Sequence, residues 1–332
     1  MKKKLTYIDL FSGSGGFSLG FDREGFENIF SLDIEPNFCK TYKQNFPTHN
    51  LIEEDICKIS NNDITKFVKN KKVDVIIGGP PCQGFSIAGN IGRKFIDDPR
   101  NQLFKEFARV VKVVKPSSFV MENVARLYTH NKGETRKEIV STFQEMGYNV
   151  KCKILNSADY GVPQIRKRII FIGSLINSKI EFPEKEVEEY KTVIEALDKY
   201  PKLNSGEKSD IPNHIAMSHT EQMLTKMSYI SDGGDRNEIP VEIRPKTGDV
   251  RKYIKYKSNK PAVCVTGDMR KIFHYEQNRA LTVRELAELQ TYPPDFVFMG
   301  SSISQQQQVG NSVPPKMAQA IAKTIKKLNY DV

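Results

Sequence analysis

The sequence predicts an α/β fold in which a doubly wound sheet is joined to a smaller, irregular module. Short apolar runs alternate with helix-like segments up to residue 172, as they do in successive β-α-β units. The clearest run, 73–77, stops at a Gly-Gly-Pro-Pro turn, which is typical of a buried strand that ends in a rigid loop. The periodicity is then lost over 174–273, a segment too long to be a connection within one compact domain.

The size and hydrophobic content of the chain set the first limits on its class. Its 332 residues fit about two domains, and a hydrophobic content of 39% supports a packed core. Spanning a bilayer takes about 20 apolar residues, and no run approaches that length, so we expect no membrane segment. The basic and apolar start, MKKKLTYIDLF, leads directly into glycine-rich sequence, which predicts a strand and not a signal peptide.

Charge and cysteine usage point to a basic protein of a reducing compartment. Lysine and arginine number 50 against 40 acidic residues, a formal charge of +10 that suits a polyanionic partner, although many soluble proteins are equally basic. The five cysteines are odd in number and far apart, and none forms a C-x-x-C pair. We therefore expect neither a disulfide framework nor a metal site, and a cytoplasmic location.

Each element of the predicted sheet is bounded by glycine, proline or polar residues. The predicted strands span 5–11, 28–34, 50–52, 73–77, 118–121, 150–155 and 168–172. Helical periodicity predicts helices at 17–26, 36–46, 101–114, 136–146 and 314–328. Pro36 suits the first position of its helix, and Thr282 with Glu285 forms the pattern of a capping box before a further helix.

A glycine-rich turn, GSGG at 13–16, follows the first strand and opens the first helix. Its glycines allow a ligand close to the backbone, and the helix start offers free N–H groups. The pyrophosphate fingerprint G-x-G-x-x-G is incomplete because Ser18 stands at its last position, while Asp33 ends the second strand, where it could bind a ribose diol. This favours a cofactor with a ribose and no pyrophosphate over a simple turn. Asp55 could bind an adenine amino group, with Ile56 against the ring, or could equally cap a helix.

A thiol and a carboxylate are expected at the same sheet edge as this turn. Cys82 follows strand 73–77 and Glu122 follows strand 118–121, and α/β proteins bind ligands at the carboxyl ends of their strands. A buried core cysteine is the alternative for Cys82, but Pro-Pro-Cys-Gln has no apolar period. A thiol, a carboxylate and a nucleotide-like cofactor in one crevice point to group transfer.

Six motifs, in this order along the chain, resemble those of the DNA cytosine-5 methyltransferases of restriction–modification systems. They are DLFSGSGG (9–16), GGPPCQGFS (78–86), MENV (121–124), QIRKR (164–168), RALTVRELAELQTYP (279–293) and QQVGNSVPP (307–315). The resemblance covers nearly the whole chain. The irregular 174–278 segment occupies the place of the family's target recognition region.

The resemblance implies a Rossmann-like, S-adenosylmethionine-dependent methyltransferase sheet with a smaller, mostly β target-recognition domain. The catalytic domain would be discontinuous, 1–178 plus 304–332, with the recognition domain at 179–303. The residues expected around S-adenosylmethionine are Phe11, Gly13, Gly15, Asp33, Ile34, Asp55, Ile56, Pro80, Asn311 and Ser312.

The catalytic roles also follow from the resemblance. Cys82 would add to carbon 6 of a flipped-out cytosine, and Glu122 would hydrogen-bond ring N3. Arg166 matches the arginine that contacts the O2 edge of the base, and Arg168 would orient Glu122 or the phosphodiester. The residues expected to contact DNA are Gln83, Ser86, Arg236, Arg244 and Arg270.

Double-stranded DNA is the implied substrate, with a monomeric enzyme and a cognate endonuclease that acts on the same site without stable association. An RNA-modifying relative is the nearest alternative, disfavoured by the full-sized variable segment and by the absence of the Cys-Phe-Thr tripeptide of the tRNA-methylating branch. A nicotinamide dehydrogenase is disfavoured by Ser18, and a non-catalytic DNA-binding module would not need Cys82, Glu122 and Arg166 together.

Overall fold

The computed structural model describes residues 4–69, 71–81, 102–176, 179–245 and 252–330. Cys82, Gln83 and Ser86 lie outside these residues, as do the positions 246–251 of the irregular segment. The chain divides into two compact units. Unit 1 comprises Met1–Asn156, Lys167–Glu184 and Met317–Val332, and unit 2 comprises Ser157–Arg166 and Lys185–Lys316. The predicted domain boundaries stay a prediction.

Unit 1 is built on a seven-stranded sheet with the order β3-β2-β1-β4-β5-β7-β6. Its strands are β1 (Thr6–Leu10), β2 (Glu27–Asp33), β3 (Leu51–Glu53), β4 (Val75–Gly78), β5 (Ser118–Val124), β6 (Asn149–Asn156) and β7 (Lys167–Ser174). The first five strands are parallel, and β7 is antiparallel to both β5 and β6. The order reverses between β1 and β4, which is where doubly wound sheets bind ligands. The predicted fold class is confirmed.

Helices connect and cover these strands. They are α1 (Gly16–Arg23), α2 (Pro36–Asn45), α3 (Asn61–Val68), α4 (Gln102–Val114), α5 (Glu134–Gln144) and α10 (Pro315–Tyr330). A β-carbon at Gly20 would lie 2.4 Å from the Ala318 side chain, so this glycine lets α1 and α10 approach closely. The α3 helix was not predicted, although Ser60 and Asp63 form a capping box at its start.

Aromatic side chains fill the core between β5 and the helices α4 and α5. Phe104, Phe107, Phe119 and Phe143 are all buried, and the rings of Phe119 and Phe143 lie 4.2 Å apart between centroids. Burying each such side chain stabilises the fold by roughly 1.5–3 kcal/mol. The core therefore holds rigid the strands whose carboxyl ends carry the predicted site.

Unit 2 contains short helices and very short strands among its described residues. They are α6 (Val193–Leu197), α7 (Glu221–Ser228), β8 (Ile254–Lys255), β9 (Ile272–Phe273), α8 (Val283–Leu289) and α9 (Ser302–Asn311). This differs from the mostly β module that was expected. Threonine or serine side chains cap the starts of all four helices, as at Thr282 with its predicted capping box, and these local bonds favour helical turns over strand ladders. No helix in the described part of the chain combines the length and the apolar character needed to cross a membrane.

Candidate active site

The turn after β1 has three residues in the left-handed region, at φ 59° for Phe11, 56° for Gly13 and 91° for Gly15. A β-carbon at Gly15 would lie 2.3 Å from the Phe46 ring, so only glycine fits there. A β-carbon at Gly13 would meet no atom within 4 Å. The turn thus packs on one side against α2 and leaves open space on the other side at Gly13, as a ligand-binding loop requires.

Asp33 lies beside this open space. One of its carboxylate oxygens accepts the N–H of Gly13 at 2.7 Å, and the other accepts the N–H of Glu35 at 2.9 Å. Burial raises the pKa of Asp33 above its ordinary value, and these hydrogen bonds limit the rise. Each carboxylate oxygen has a further lone pair, so Asp33 can also accept the hydroxyls of a ribose. The adjacent Ile34 side chain is 55% exposed, which is suited to packing on a ring. These residues fit S-adenosylmethionine.

Asp55 caps a local turn and Ile56 is buried, and their place beside the cofactor stays a prediction. The Asp55 side chain accepts the Cys57 N–H at 2.9 Å and so caps the 3-10 turn Ile56–Lys58, as one reading of the sequence allowed. Ile56 is only 3% exposed and belongs to the apolar core. Of the two isoleucines expected near the cofactor, Ile34 is therefore the one with apolar surface to offer.

Replacing Asp33 by alanine is expected to weaken S-adenosylmethionine binding by about 10- to 100-fold, because a charge-assisted hydrogen bond contributes ~1.5–3 kcal/mol. Titration calorimetry on the purified protein measures this affinity. Glu35→Gln is the matched control, since it removes an exposed carboxylate two residues away. Equal affinities of the wild type and Asp33→Ala would remove Asp33 from the cofactor site.

Glu122 and Arg168 form an ion pair at the end of β5. The Arg168 Nε donates to the Glu122 Oε1 at 2.8 Å, and the two side chains are 15% and 13% exposed. Glu122 lies within the strand and not after it, because the antiparallel ladder with β7 continues beyond the last pairing with β4, up to Val124. A β-carbon at Gly79 would lie 3.0 Å from the Glu122 Oε2. The carboxylate is therefore held between the Arg168 guanidinium and the bare backbone of Gly79.

Asn123 connects the same strand to the turn that leads toward Cys82. Its buried Nδ2 donates to the Pro80 carbonyl at 3.0 Å, and its Oδ1 accepts the Val124 N–H at 2.9 Å. Asn123 thus ties the end of β5 to the turn at Pro80. Pro80, expected at the cofactor, is buried and held by this contact.

Arg166, in unit 2, is 2% exposed and bonds to two distant segments. Its Nη1 donates to the Val265 carbonyl and its Nη2 to the Gly310 carbonyl, each at 2.8 Å. Gln164 is fully buried beside it and accepts the Val265 N–H at 2.8 Å. A β-carbon at Gly310 would lie 2.2 Å from the Thr266 backbone. The Gln-x-Arg part of the QIRKR motif thus joins the end of α9 to the 264–266 segment.

Asn311 and Ser312 lie at the C-terminal end of α9. Asn311 is exposed, and the Ser312 hydroxyl donates to the Val313 carbonyl at 3.0 Å. Both belong to unit 2, and their place beside the cofactor stays a prediction.

The three arginines expected to contact DNA differ in their surroundings. Arg244 donates its Nε to the Ile239 carbonyl at 2.9 Å and its Nη2 to the Asn237 carbonyl at 2.6 Å, so its guanidinium supports the local loop. Arg236 begins the 3-10 turn Arg236–Glu238 and is half-buried. Arg270 is exposed and forms two hydrogen bonds with Asp268.

Sequence reasoning missed a buried acid beneath the glycine turn. Asp9, in β1, is fully buried and accepts the Ser18 hydroxyl at 2.6 Å, while the Ser18 oxygen lies 2.8 Å from the Tyr42 hydroxyl. The Asp9 Oδ1 has no hydrogen-bond partner among the described residues. Ser18, at the last position of the dinucleotide fingerprint, thus serves as the hydrogen-bond donor to this acid. An aspartate inside an otherwise apolar strand was the available signal.

Burial raises the pKa of Asp9 to about 8, and the negative charges of Asp33 and Asp22 add to the rise. The folded state therefore holds this proton more tightly than the unfolded chain, and the stabilisation is lost as pH rises from about 4 to about 8. Asp9→Asn is expected to increase the free energy of unfolding by roughly 3 kcal/mol more at pH 8 than at pH 5. Urea denaturation at the two pH values measures this, and parallel curves for both proteins would contradict it.

Comparison with known proteins agrees with this geometry. The family model of the C-5 cytosine-specific DNA methylases matches residues 5–327. The type II methyltransferase M1.HphI of Haemophilus parahaemolyticus is 63% identical over 325 residues, which cover 98% of this chain and 87% of that protein. M.DdeI of Desulfomicrobium norvegicum, also a type II methyltransferase, is 35% identical and covers 97% of this chain and 88% of its own.

Among solved structures, a prophage-encoded E. coli protein assigned as a DNA modification methyltransferase superposes with a TM-score of 0.79 at 27% identity. The match covers 98% of this chain and 99% of that one. The resemblance seen in the six motifs and the predicted fold are confirmed. The family match over nearly the full length, joined to the glycine turn and the Glu122–Arg168 pair, shows that the chain belongs to the C-5 cytosine-specific DNA methylase family.

Proposed function

We propose that the chain carries out its family's methyl transfer to carbon 5 of cytosine on a base flipped out of duplex DNA, with Cys82 as the covalent nucleophile. The observation that carries the proposal is the Glu122 carboxylate, fixed between Arg168 and Gly79 at the end of β5, next to β4 and its Gly-Gly-Pro-Pro turn. A flipped base needs such a fixed group, because the chemistry depends on the position of a single ring nitrogen.

Cys82 is required because carbon 5 of cytosine is too weak a nucleophile to accept a methyl group unaided. Addition of the Cys82 thiolate to carbon 6 makes carbon 5 equivalent to a carbanion. When bound, S-adenosylmethionine supplies the electrophilic methyl group. The carbon 5 proton then leaves, and elimination frees Cys82. A free thiol has a pKa of about 8.5, so positive charge near the loop would favour the thiolate.

Glu122 stabilises the electron density that develops on ring N3 when the thiolate adds. A carboxyl group can hydrogen-bond N3 only when it carries or shares a proton. Arg168 occupies Oε1, so Oε2 is the oxygen that faces the base, above Gly79, where no β-carbon obstructs it. The ion pair supports a positioning role for Arg168 toward Glu122, which is one of the two roles expected for it.

Arg166 is the residue whose proposed role changes most. The resemblance implies a contact with the O2 edge of the base, but its guanidinium is buried and bonded to the carbonyls of Val265 and Gly310. These contacts support a positioning role, in which Arg166 fixes the 264–266 segment, which lies within the region expected to read DNA.

The wider biological setting follows from the relatives. M1.HphI and M.DdeI are type II methyltransferases, and the chain is similar to both over nearly its full length. We propose that it methylates a short specific duplex sequence in the cytoplasm, as a monomer, and protects host DNA from a cognate endonuclease that acts on the same site without stable association. The net charge of +10 supports a polyanionic substrate.

The test measures transfer of tritiated methyl groups from S-adenosylmethionine to duplex DNA and, in a parallel reaction, to tRNA. Transfer to duplex DNA alone is expected, and bisulfite sequencing of the product then gives the target sequence and the methylated cytosine. Transfer to tRNA in preference to duplex DNA would overturn the proposed substrate and favour the RNA-modifying alternative.

A further inference from the structure

Three charged side chains of unit 2 form a compact group, which we call the Asp268 cluster: Lys252, Asp268 and Arg270. The Arg270 Nε donates to the Asp268 Oδ1 at 2.9 Å, and its Nη2 donates to the Asp268 Oδ2 at 3.3 Å. Lys252 donates to the same carboxylate. Arg270 and Lys252 both hold the pKa of Asp268 well below its ordinary value, so the acid stays ionised.

The backbone that carries Asp268 and Arg270 is held in place by contacts on both sides of the cluster. Met269, between Asp268 and Arg270, is 1% exposed, and its N–H donates to the buried Gln306 side chain at 3.0 Å. On one side, the preceding 264–266 segment is fixed by Arg166 and Gln164. On the other side, β9 pairs with β8 through Ile272 and Ile254. The side chains of Asp268 and Arg270 are thus carried outward by a backbone anchored at both ends.

We propose that Arg270, held in place by Asp268, reads one guanine of the DNA target through the major groove, which makes Asp268 and Arg270 determinants of sequence specificity. This inference rests on the proposed function and adds to it a residue pair and the base it recognises.

The hydrogen-bond geometry favours this assignment. Asp268 uses the side of the guanidinium formed by Nε and Nη2, and this leaves the end formed by Nη1 and Nη2 turned away from the carboxylate. That end carries two parallel N–H donors, which match the O6 and N7 acceptors of guanine. The Arg270 side chain is 51% exposed, so it can reach a partner without breaking its bonds to Asp268.

Charge argues for a base and against a phosphate. A phosphate contact gains most from an uncompensated cation. In the Asp268 cluster the carboxylate neutralises one of the two cations and bonds directly to Arg270, where it would repel a phosphate bound to the same guanidinium. The guanine edge is neutral and tolerates the carboxylate. Fixing the arginine also reduces the side-chain entropy lost on binding, which improves discrimination.

The other two candidate arginines lack this arrangement. Arg244 already donates its Nε and Nη2 to backbone carbonyls, and its partner atoms belong to its own loop. Arg236 is half-buried at the start of a 3-10 turn, and no carboxylate bond fixes its guanidinium among the described contacts. Of the three, Arg270 alone is both exposed and fixed through two bonds to an acid.

The experiment expresses the full-length wild type and its variants in a host that lacks cytosine methylation and maps methylated sites by bisulfite sequencing. The rates of the purified proteins are then compared on duplexes in which each target guanine is replaced in turn. Arg270→Ala is expected to lose about 10- to 100-fold of discrimination at one guanine and to keep it elsewhere. Arg270→Lys restores the charge and not the paired donors, so it should not restore discrimination.

Asp268→Asn separates the roles of the pair. It is expected to relax discrimination at the same guanine while raising affinity for unrelated DNA, because the two cations lose their shared counterion. Glu276→Gln is the matched control: it makes the same charge change at another exposed ion pair of unit 2, with Lys202 at 2.6 Å, and should leave specificity unchanged. Unaltered S-adenosylmethionine affinity verifies that each variant is folded.

Either of two results would overturn this inference and leave the proposed function intact. If Arg270→Ala weakens all duplexes alike and lowers the salt dependence of binding, Arg270 contacts a phosphate. If full discrimination survives in both Arg270 variants, the arginine does not contact the target. A wild type that methylates no duplex DNA would instead overturn the proposed function, and this inference with it.

Discussion

Cys82→Ser is expected to abolish methyl transfer while DNA affinity changes by less than about tenfold, roughly 1.4 kcal/mol. Serine differs from cysteine only in one atom of similar size, so we expect DNA binding to change little. The serine hydroxyl is far less acidic than a thiol, however, and cannot add to carbon 6 at neutral pH. Labelled methyl transfer and a gel-shift titration on the same duplex measure the two quantities.

A duplex with 5-fluorocytosine at the target position tests the covalent step directly. Fluorine cannot leave as a proton does, so the wild type should remain bound through its thiol and survive denaturing electrophoresis. Cys82→Ser should form no such adduct. Cys57→Ser, which changes an exposed cysteine of the same unit, should be trapped as the wild type is. Wild-type protein that methylates the normal target and yet is never trapped would speak against a covalent mechanism.

The strands of the sheet could be predicted because each one is marked by residues close together in the sequence. The run before Gly78 is apolar and β-branched, and Asp33 ends a strand as expected. Glu122 shows the limit: its position inside β5 depends on the antiparallel ladder with β7, which sequence periodicity does not reveal. Helix α3, by contrast, carries a local signal in the sequence, the capping box formed by Ser60 and Asp63.

Long-range polar contacts could not be predicted from the sequence. The partners of Arg166 lie 99 and 144 residues away along the chain. Both are backbone carbonyls, and because every residue has one, the residue types at these positions do not reveal the contact. The contact between Arg270 and Asp268 is local, because the two residues are only two positions apart, and the sequence shows both charges. The proposed role of this pair depends on the burial of Met269 between the two residues, and the burial is seen only in the folded structure.

Glu122→Gln is expected to lower kcat by about 10²- to 10⁴-fold and to leave the affinity for S-adenosylmethionine within about twofold. Glutamine has the shape of glutamate, and its amide can still donate a hydrogen bond to ring N3. It cannot share a proton with N3 as charge develops there, so the loss appears in turnover and not in cofactor binding. Single-turnover methylation and calorimetry on the same preparation measure the two effects.

A double variant of Arg168 and Glu122 tests the same role of the Glu122 carboxylate in another way. Because its Nε fixes the Glu122 Oε1 at 2.8 Å, Arg168→Ala should lower kcat by about 10- to 100-fold, and its effect should largely disappear when Glu122 is already glutamine. Glu134→Gln, at an exposed ion pair with Lys137 in unit 1, is the matched control and should keep full activity. Additive losses in the double variant would mean that Arg168 acts on the DNA itself and not through the position of the Glu122 carboxylate.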